Sequence, residues 1–275
     1  MTMKADLTIP NKTLLEFERL VEEGSVNPWE GELKVGVDLG TANILVSVTD
    51  SENRPVAGIS TASCVVRDGI VVDYVGAIRT VRSMKAKLEA ALGVKLTKAA
   101  CAIPPGISAG NTKAIGNVVE SSDFELTAIV DEQTAAATVL GITDGAVVDV
   151  GGGTTGISVL KNGKVVLVAD EPTGGTHMTL VLAGFLRTST EEAERLKKDP
   201  AQESNVFPVI KPVVDKMASI VADAIRGCNV DTIYVVGGAC CFKEFEGIFE
   251  KRIGIPTVKP AAPLLVTPLG IAMNA

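Results

Sequence analysis

The sequence predicts an α/β protein built from two similar halves. Residues 34–50 and 145–160 share one pattern, in which a strand ends near an aspartate and is followed by glycine, threonine and a second strand. The two aspartates, Asp38 and Asp149, lie 111 residues apart. Between the two units, strand-like apolar runs alternate with helix-like runs, which implies a sheet with parallel strands. The low aromatic content, 4%, also fits Val/Ile-rich parallel sheets.

The individual elements follow from apolar spacing and from turn and capping residues. Residues 11–23 predict an amphipathic helix that Gly24 ends. Asn162-Gly163 predicts a hairpin turn, and residues 189–192 form a capping box. Further helices are predicted at 80–92, 108–120, 135–140, 178–186, 191–198, 209–226 and 242–252, and further strands at 98–103, 126–130 and 232–236. This order divides the chain into a helical leader at 1–32, a first domain at 33–143 and a second domain at 144–275.

Composition and charge exclude several classes of function. The net charge of −7 argues against a nucleic-acid-binding surface. No apolar run is long enough to cross a bilayer, so we expect no membrane insertion. The five cysteines form no C-x-x-C pair and His177 is the only histidine, which argues against a zinc site. Because the first residues lack the apolar core of a signal peptide, we expect a cytoplasmic protein.

The glycine-rich turn after Asp149 has the chemistry of a phosphate site. Three glycines at 151–153 follow the strand, and such a turn presents successive backbone N–H groups to a phosphate. The carboxylate beside it can bind Mg²⁺ or orient water. A dinucleotide fingerprint is excluded because a strand follows the turn where a helix would be required, and the chain has no P-loop motif. A glycine-rich turn without a ligand remains the alternative.

Taken in this order, the motifs resemble those of the actin-like ATPase superfamily. That superfamily has a ribonuclease H-like fold and includes the heat-shock chaperone ATPases, the sugar kinases and the bacterial actin homologues. Residues 35–48 resemble its first phosphate loop and residues 147–159 its second. Residues 129–137 are similar to the N-E-P-T-A-A-A connecting segment of the chaperones. Residues 234–238 resemble the adenosine loop, and residues 194–198 the segment that flanks the adenine.

The resemblance implies two similar domains around a nucleotide cleft, with ATP and Mg²⁺ as ligands. It implies that Asp38 and Asp149 bind Mg²⁺ across the cleft and that Glu132 orients the attacking water, which makes Glu132 and Asp149 the catalytic candidates. The residues that it assigns to the nucleotide are Asp38, Gly40, Thr41, Ala42, Asn43, Gly151, Gly152, Gly153, Thr154, Gly174, Gly175, Thr176, Glu194, Lys197, Gly237 and Gly238.

Three departures from the chaperone pattern predict slow hydrolysis or none. Gly156 stands where the chaperones carry an acidic residue. No motif identifies the lysine that contacts the γ-phosphate in the chaperones, although Lys85 and Lys87 are candidates. Only about ten residues separate Lys198 from the helix predicted at 209–226. The resemblance therefore implies a reduced second domain that lacks the adenine-capping subdomain.

Within the superfamily, the chain resembles a small chaperone-like family of ethanolamine utilisation that is found with bacterial microcompartments. This resemblance implies an ATP-binding protein that assists a protein client, either the ethanolamine-degrading enzyme or the microcompartment shell. It also implies a cytoplasmic location next to the microcompartment, and at most a slow ATPase activity. A bacterial-actin or pilus-type scaffold controlled by nucleotide is the alternative function. A small-molecule kinase is a third, although no acceptor pocket is visible in so short a chain.

Overall fold

Two five-stranded sheets form the framework of the fold. The computed structural model describes residues 6–67 and 69–275, so the first five residues of the predicted leader lie outside the described part of the chain. The strands are β1 Lys34–Leu39, β2 Asn43–Thr49, β3 Pro55–Ala62, β4 Val66–Arg67, β5 Ile70–Val71, β6 Lys98–Ile103, β7 Glu125–Asp131, β8 Gly145–Val150, β9 Thr155–Lys161, β10 Lys164–Glu171, β11 Ile233–Val236 and β12 Thr257–Val258. The first sheet has the order β3-β2-β1-β6-β7 and the second the order β10-β9-β8-β11-β12.

Each large sheet combines an antiparallel hairpin with parallel strands. β1 pairs antiparallel with β2 and parallel with β6, and β8 pairs antiparallel with β9 and parallel with β11. β4 and β5 form a separate small hairpin. A β-bulge between Val165 and Leu167 shifts the pairing of β10 with β9 by one residue. The matching strand order confirms the prediction of two similar halves with parallel strands.

The helices cover the sheets and connect the parallel strands. They are α1 Thr8–Glu23, α2 Tyr74–Leu92, α3 Ala109–Ser121, α4 Glu132–Leu140, α5 Gly175–Leu186, α6 Thr190–Lys198, α7 Glu203–Ala224, α8 Phe245–Ile253 and α9 Val266–Met273. The side chains of Ser108, Asp131 and Ser189 cap α3, α4 and α6 by accepting hydrogen bonds from backbone N–H groups of the first turn. No helix in the described part of the chain is both long and apolar enough to cross a membrane.

Helix α7 begins six residues earlier than the sequence predicts. It starts at Glu203 and contains Pro208 and Pro212, whereas the prediction placed its start after the first proline. Each proline removes one helical hydrogen bond. The helix tolerates this loss because one of its faces, which includes Val206 and Ile210, is buried in the core of the second half. Only a short 3-10 turn at Pro200–Gln202 separates α6 from α7, so no subdomain is inserted at this point.

Helices α4 and α9 form a close-packed joint between the two halves. Helix α4 carries the chain into the second half, and α9 returns to pack on α4, β1 and β2. An added Cβ on Gly270 of α9 would lie 2.0 Å from the carbonyl oxygen of Ala135, and one on Gly36 of β1 would lie 2.4 Å from the backbone nitrogen of Ala272. Backbone therefore meets backbone at this joint, which forms the floor of the cleft.

The leader helix packs on the body of the protein. Phe17 and Val21 contact Gly58 of β3, in the first half. The side chain of Asn11 accepts a 2.8 Å hydrogen bond from the backbone N–H of Ala261, in the second half. The described part of the leader thus contacts both halves.

Candidate functional site

A cavity of about 800 Å³ lies between the two halves. It is lined by the carboxyl ends of β1 and β8, by the loops that follow them, and by the start of α5 and parts of α6 and α7. Every residue that the sequence assigned to ATP or Mg²⁺ lines this cavity except Gly174. The structure thus brings the candidates together, and their roles toward a ligand stay predictions.

The two predicted phosphate loops face each other across this cavity. An added Cβ on Gly152 would lie 3.4 Å from Cβ of Thr41 and 3.6 Å from Cβ of Ala42. Within the described residues, the N–H groups of Gly152, Gly153 and Thr154 donate to no protein acceptor. These three donors are therefore available to an anion, as the glycine-rich pattern predicts.

The start of helix α5 holds the second phosphate loop in place. The N–H of Gly175 donates to the carbonyl of Gly151 at 2.9 Å, and the N–H of Thr176 to that of Gly152 at 2.8 Å. An added Cβ on Gly174 would lie 2.7 Å from both carbonyl oxygens, so the contact needs glycine. These two N–H groups therefore hold the second phosphate loop.

Three carboxylates converge at the floor of the cavity. Asp149 is 8% exposed, and the hydroxyl of Thr267 donates a 2.7 Å hydrogen bond to its Oδ2. Burial, and next the charge of Asp149, raise the pKa of Asp38 to about 7. Burial, together with the charges of Asp149 and Asp38, raises the pKa of Glu132 well above its ordinary value. Burial also raises the pKa of Asp149, and the hydrogen bond from Thr267 opposes this effect.

This carboxylate arrangement suits a hydrated magnesium ion. No group of three or more His, Cys, Asp or Glu side chains within residues 6–67 and 69–275 is arranged as a complete metal site. Mg²⁺ keeps several waters and needs only one or two carboxylates, which Asp38 and Asp149 supply. Both carboxylates are costly to ionise in the buried site, and a cation between them would reduce that cost.

The raised pKa of Asp38 makes the stability of the ligand-free protein depend on pH. Between about pH 4 and pH 7 the unfolded chain has released this proton and the folded protein has kept it, so stability falls as the pH rises. Asp38→Asn has no proton to release. We therefore expect its unfolding temperature, relative to the wild type, to increase from pH 4 to pH 7 in thermal unfolding with EDTA. A difference that does not change with pH would contradict this assignment.

A partly buried ion pair also lines the cavity. Nζ of Lys197 lies 2.6 Å from a carboxylate oxygen of Glu194 and donates hydrogen bonds to the carbonyl of Gly175 and the hydroxyl of Thr179. Burial lowers the pKa of Lys197, which the contact with Glu194 partly offsets. Burial alone would raise the pKa of Glu194, but the hydrogen bonds from Lys197 and Thr179 keep it low. Glu194 and Lys197, which the sequence assigned to the nucleotide, thus belong to one hydrogen-bonded network of the protein.

The γ-phosphate lysine proposed from the sequence is absent from the cavity wall. Neither Lys85 nor Lys87 lines the cavity. Lys85 instead lies over the ring of Phe124, with Nζ 4.2 Å from the ring centroid. Lys197 and Lys198 are the basic residues that line the cavity in the described part of the chain, and both contact Glu194.

Three side chains near the carboxylates escaped the sequence analysis. Thr267 donates a hydrogen bond to Asp149, which lies 118 residues earlier in the sequence, and no local pattern predicts such a contact. Gln133 is fully buried beside Gly156, and Asp170 lies opposite Gly156 in the sheet. The predicted hairpin turn at 162–163 fixes the register of β10 only near the turn. A simple two-residue turn would place Ala169, and not Asp170, opposite Gly156.

Comparison with known proteins identifies relatives over most of the chain. The family model described as MreB/Mbl protein matches residues 58–199, and the model described as cell division protein FtsA matches residues 146–268. Ethanolamine utilization protein EutJ of Salmonella typhimurium is 44% identical over 241 residues, which cover 87% of this chain and 85% of that protein. The crystal structure of EutJ from Carboxydothermus hydrogenoformans is 48% identical, has a TM-score of 0.93, and is matched over 97% of this chain and 98% of that one.

More distant structures share the fold alone. MreB5 of Spiroplasma citri bound to AMPPNP has a TM-score of 0.71 at 17% identity, over 88% of this chain and 95% of that one. A PilM–PilN type IV pilus biogenesis complex has a TM-score of 0.73 at 10% identity, over 90% of this chain and 99% of that one. The fold is thus actin-like, as the order of motifs predicts. The identity and coverage of the Salmonella and Carboxydothermus proteins show that the chain belongs to the family of ethanolamine utilization protein EutJ.

Proposed function

We propose that the protein binds ATP with Mg²⁺ between its two halves and acts as a chaperone-like protein of ethanolamine utilisation. The observation that carries the proposal is the convergence of two aspartate–glycine loops, one from each half, on a single cavity. The fold and the pairing of Asp38 with Asp149 suit a ligand that is held from both sides. The structure of MreB5, which shares this fold, has AMPPNP bound.

Each side of the cavity has a distinct part in this proposal. The loops at 40–43 and 151–154 would hold the phosphates through backbone N–H groups. Mg²⁺, when bound, would neutralise phosphate charge and bring its waters to Asp38 and Asp149. Glu132 would accept a hydrogen bond from the water nearest the terminal phosphate. The part of the cavity that Glu194, Lys197 and Gly238 line would take the nucleoside. Gly237 lies beside the carboxylate of Asp149.

The charge of the cavity predicts a strong requirement for the cation. The acidic residues that line it are Asp38, Glu132, Asp149, Glu191, Glu194, Asp199 and Glu203. The two lysines that line it both pair with Glu194 and so leave no excess positive charge for a phosphate. Nucleotide without a divalent cation would therefore be repelled.

The proposed effect of nucleotide binding is a change in the arrangement of the two halves. The described residues contain no second group of catalytic side chains outside the cavity, and a two-sided site lets the ligand favour one arrangement of the halves. Helix α5 exposes apolar side chains, among them Phe185, which is 68% exposed. An exposed apolar surface is typical of a protein contact. The family name adds the setting, which makes the ethanolamine-degrading enzyme or the microcompartment shell the proposed client.

A pull-down from cells grown on ethanolamine tests the proposed client contact. The tagged protein is incubated with ATP and Mg²⁺, with ADP and Mg²⁺, or without nucleotide. We expect an enzyme or shell protein of ethanolamine utilisation to be recovered in amounts that depend on the nucleotide. Recovery of none under any condition would contradict the chaperone-like function. Recovery of copies of this chain alone would favour a nucleotide-controlled scaffold.

Hydrolysis of the bound ATP is expected to be slow and to depend on Glu132. The cavity lacks an acidic side chain at Gly156 and a free lysine, so we expect turnover well below about ten per second. Replacing Glu132 with Gln should lower the remaining rate by about a hundredfold. Phosphate release measures both rates, with Glu120→Gln, an exposed site on α3, as the control. An unchanged rate in Glu132→Gln would show that another group orients the water.

A further inference from the structure

Gln133 has a buried side-chain amide that lacks a hydrogen-bond partner in the described part of the chain. It lies in the first turn of α4, directly after Glu132, and is fully buried. Within residues 6–67 and 69–275, neither its Nε2 nor its Oε1 has a hydrogen-bond partner. Leaving both ends of a buried amide unsatisfied is costly, and an apolar side chain of the same size would avoid that cost. A hydrogen bond to a ligand or to its water shell would offset this cost.

The amide fills the place of a missing side chain. An added Cβ on Gly156 would lie 2.2 Å from Nε2 of Gln133, so any residue with a side chain would displace the amide. Gly156 is paired with Asp149 on one neighbouring strand and with Asp170 on the other. Directly opposed residues of paired strands point to the same face of a sheet. The Gln133 amide therefore lies over the row that Asp149 and Asp170 flank.

A β-bulge brings Asp170 to this face. Lys164 and Val165 pair with Lys161 and Leu160 in the register of a two-residue turn, but beyond the bulge Leu167 pairs with Val159. Without this shift Asp170 would face Thr155 and point away from the row, because a one-residue shift turns every following side chain to the other face. The charge of Asp170 raises the pKa values of Glu132 and Asp149, which supports its proximity to both.

One end of this row, at Asp170, faces solvent. Asp170 is exposed and lines a second cavity of about 430 Å³, together with the loop at 104–108. Pro104 lines both this cavity and the main one. The row thus combines a buried neutral amide with two flanking carboxylates, of which Asp170 faces solvent, and this chemistry suits the water shell of a cation better than a phosphate oxygen.

We propose that Gln133, whose amide fills the space left by Gly156, and Asp170 are positioning residues that hold the waters of the Mg²⁺ ion at Asp149. The amide oxygen accepts hydrogen bonds from these waters, and Asp170 accepts from the other side. This inference rests on the proposed nucleotide function and extends it by two residues. It also explains why the chain keeps a glycine at 156 together with a polar side chain at 133.

The test measures cation dependence and ligand-free stability in the same variants. Gln133→Met keeps the size of the side chain and removes its hydrogen bonds. We expect the Mg²⁺ concentration needed for half-maximal ATP binding in calorimetry to rise about threefold to tenfold. We expect the ligand-free variant to unfold at the same temperature as the wild type or higher, since it loses an unsatisfied amide. A merely structural role for Gln133 would lower that temperature and leave the Mg²⁺ dependence unchanged.

Asp170→Asn provides a second variant on an exposed side chain, and Glu171→Gln is its matched control. Glu171 follows Asp170 in β10, pairs with Thr155 and points to the other face. Asp170→Asn should raise the Mg²⁺ requirement and Glu171→Gln should not. Unchanged Mg²⁺ dependence in both Gln133→Met and Asp170→Asn, with normal binding in the wild type, would overturn this inference alone. Absence of Mg²⁺-dependent binding in the wild type would overturn it together with the proposed function.

Discussion

Replacing Gly270 with alanine is expected to destabilise the protein by about 3 kcal/mol or more. The added Cβ would lie 2.0 Å from the carbonyl oxygen of Ala135 and 2.5 Å from its carbonyl carbon, so backbone has to move. Helix α9 would shift on α4, and the joint between the halves would loosen. Chemical denaturation of the ligand-free variant measures the loss of unfolding free energy.

Gly247→Ala is the control for this substitution. Gly247 also lies within a helix, α8, but an added Cβ there meets nothing within 4 Å. Alanine is the better helix former, so this variant should gain roughly 0.5–1 kcal/mol. Equal stability of Gly270→Ala and the wild type would show that α9 and α4 do not pack as closely as described.

Replacing Asp149 with asparagine is expected to abolish most of the Mg²⁺-dependent part of ATP binding. Asparagine has the same size and can still accept the hydrogen bond from Thr267, so the substitution removes the charge and little else. Losing a charge-assisted contact costs about 1.5–3 kcal/mol, which corresponds to an affinity loss of about tenfold to a hundredfold. Calorimetric titration with ATP in Mg²⁺ and in EDTA measures this loss.

A control variant and the stability of the ligand-free protein test whether Asp149→Asn acts through its charge. Asp223→Asn on α7 removes an exposed carboxylate that does not line the cavity, and it should bind as the wild type does. The ligand-free Asp149→Asn protein should be as stable as the wild type or more so, because burial already disfavours the charge of Asp149. Wild-type Mg²⁺ dependence in Asp149→Asn would place the cation elsewhere.

The sequence predicts those parts of the site that depend on local pattern. Asp38 and Asp149 each lie near the end of a hydrophobic strand and before a glycine turn, so their positions follow from a few neighbouring residues. The parallel pairing of β1 with β6 and of β8 with β11 places each turn at the carboxyl edge of its own sheet. For these reasons the two loops and the two-half fold were predictable, whereas their distance across the cavity was not.

The rest of the site depends on packing and register, which a local pattern does not show. The bulge in β10 decides the face on which Asp170 lies, and no glycine or proline at 165–167 marks it. Gln133 is buried only because Gly156, in another element, leaves room for it. The start of helix α7 was predicted too late because Pro208 was assigned to the break before the helix, although tertiary packing lets the helix include it.

Calorimetric titration of the wild-type protein with ATP tests the nucleotide site most directly. In the presence of Mg²⁺ we expect saturable binding of one ATP per chain, because the two loops enclose one cavity. In EDTA we expect much weaker binding, because the acidic cavity repels uncompensated phosphate. Absence of heat at millimolar ATP with Mg²⁺, or equal affinity in Mg²⁺ and in EDTA, would contradict a nucleotide site between Asp38 and Asp149.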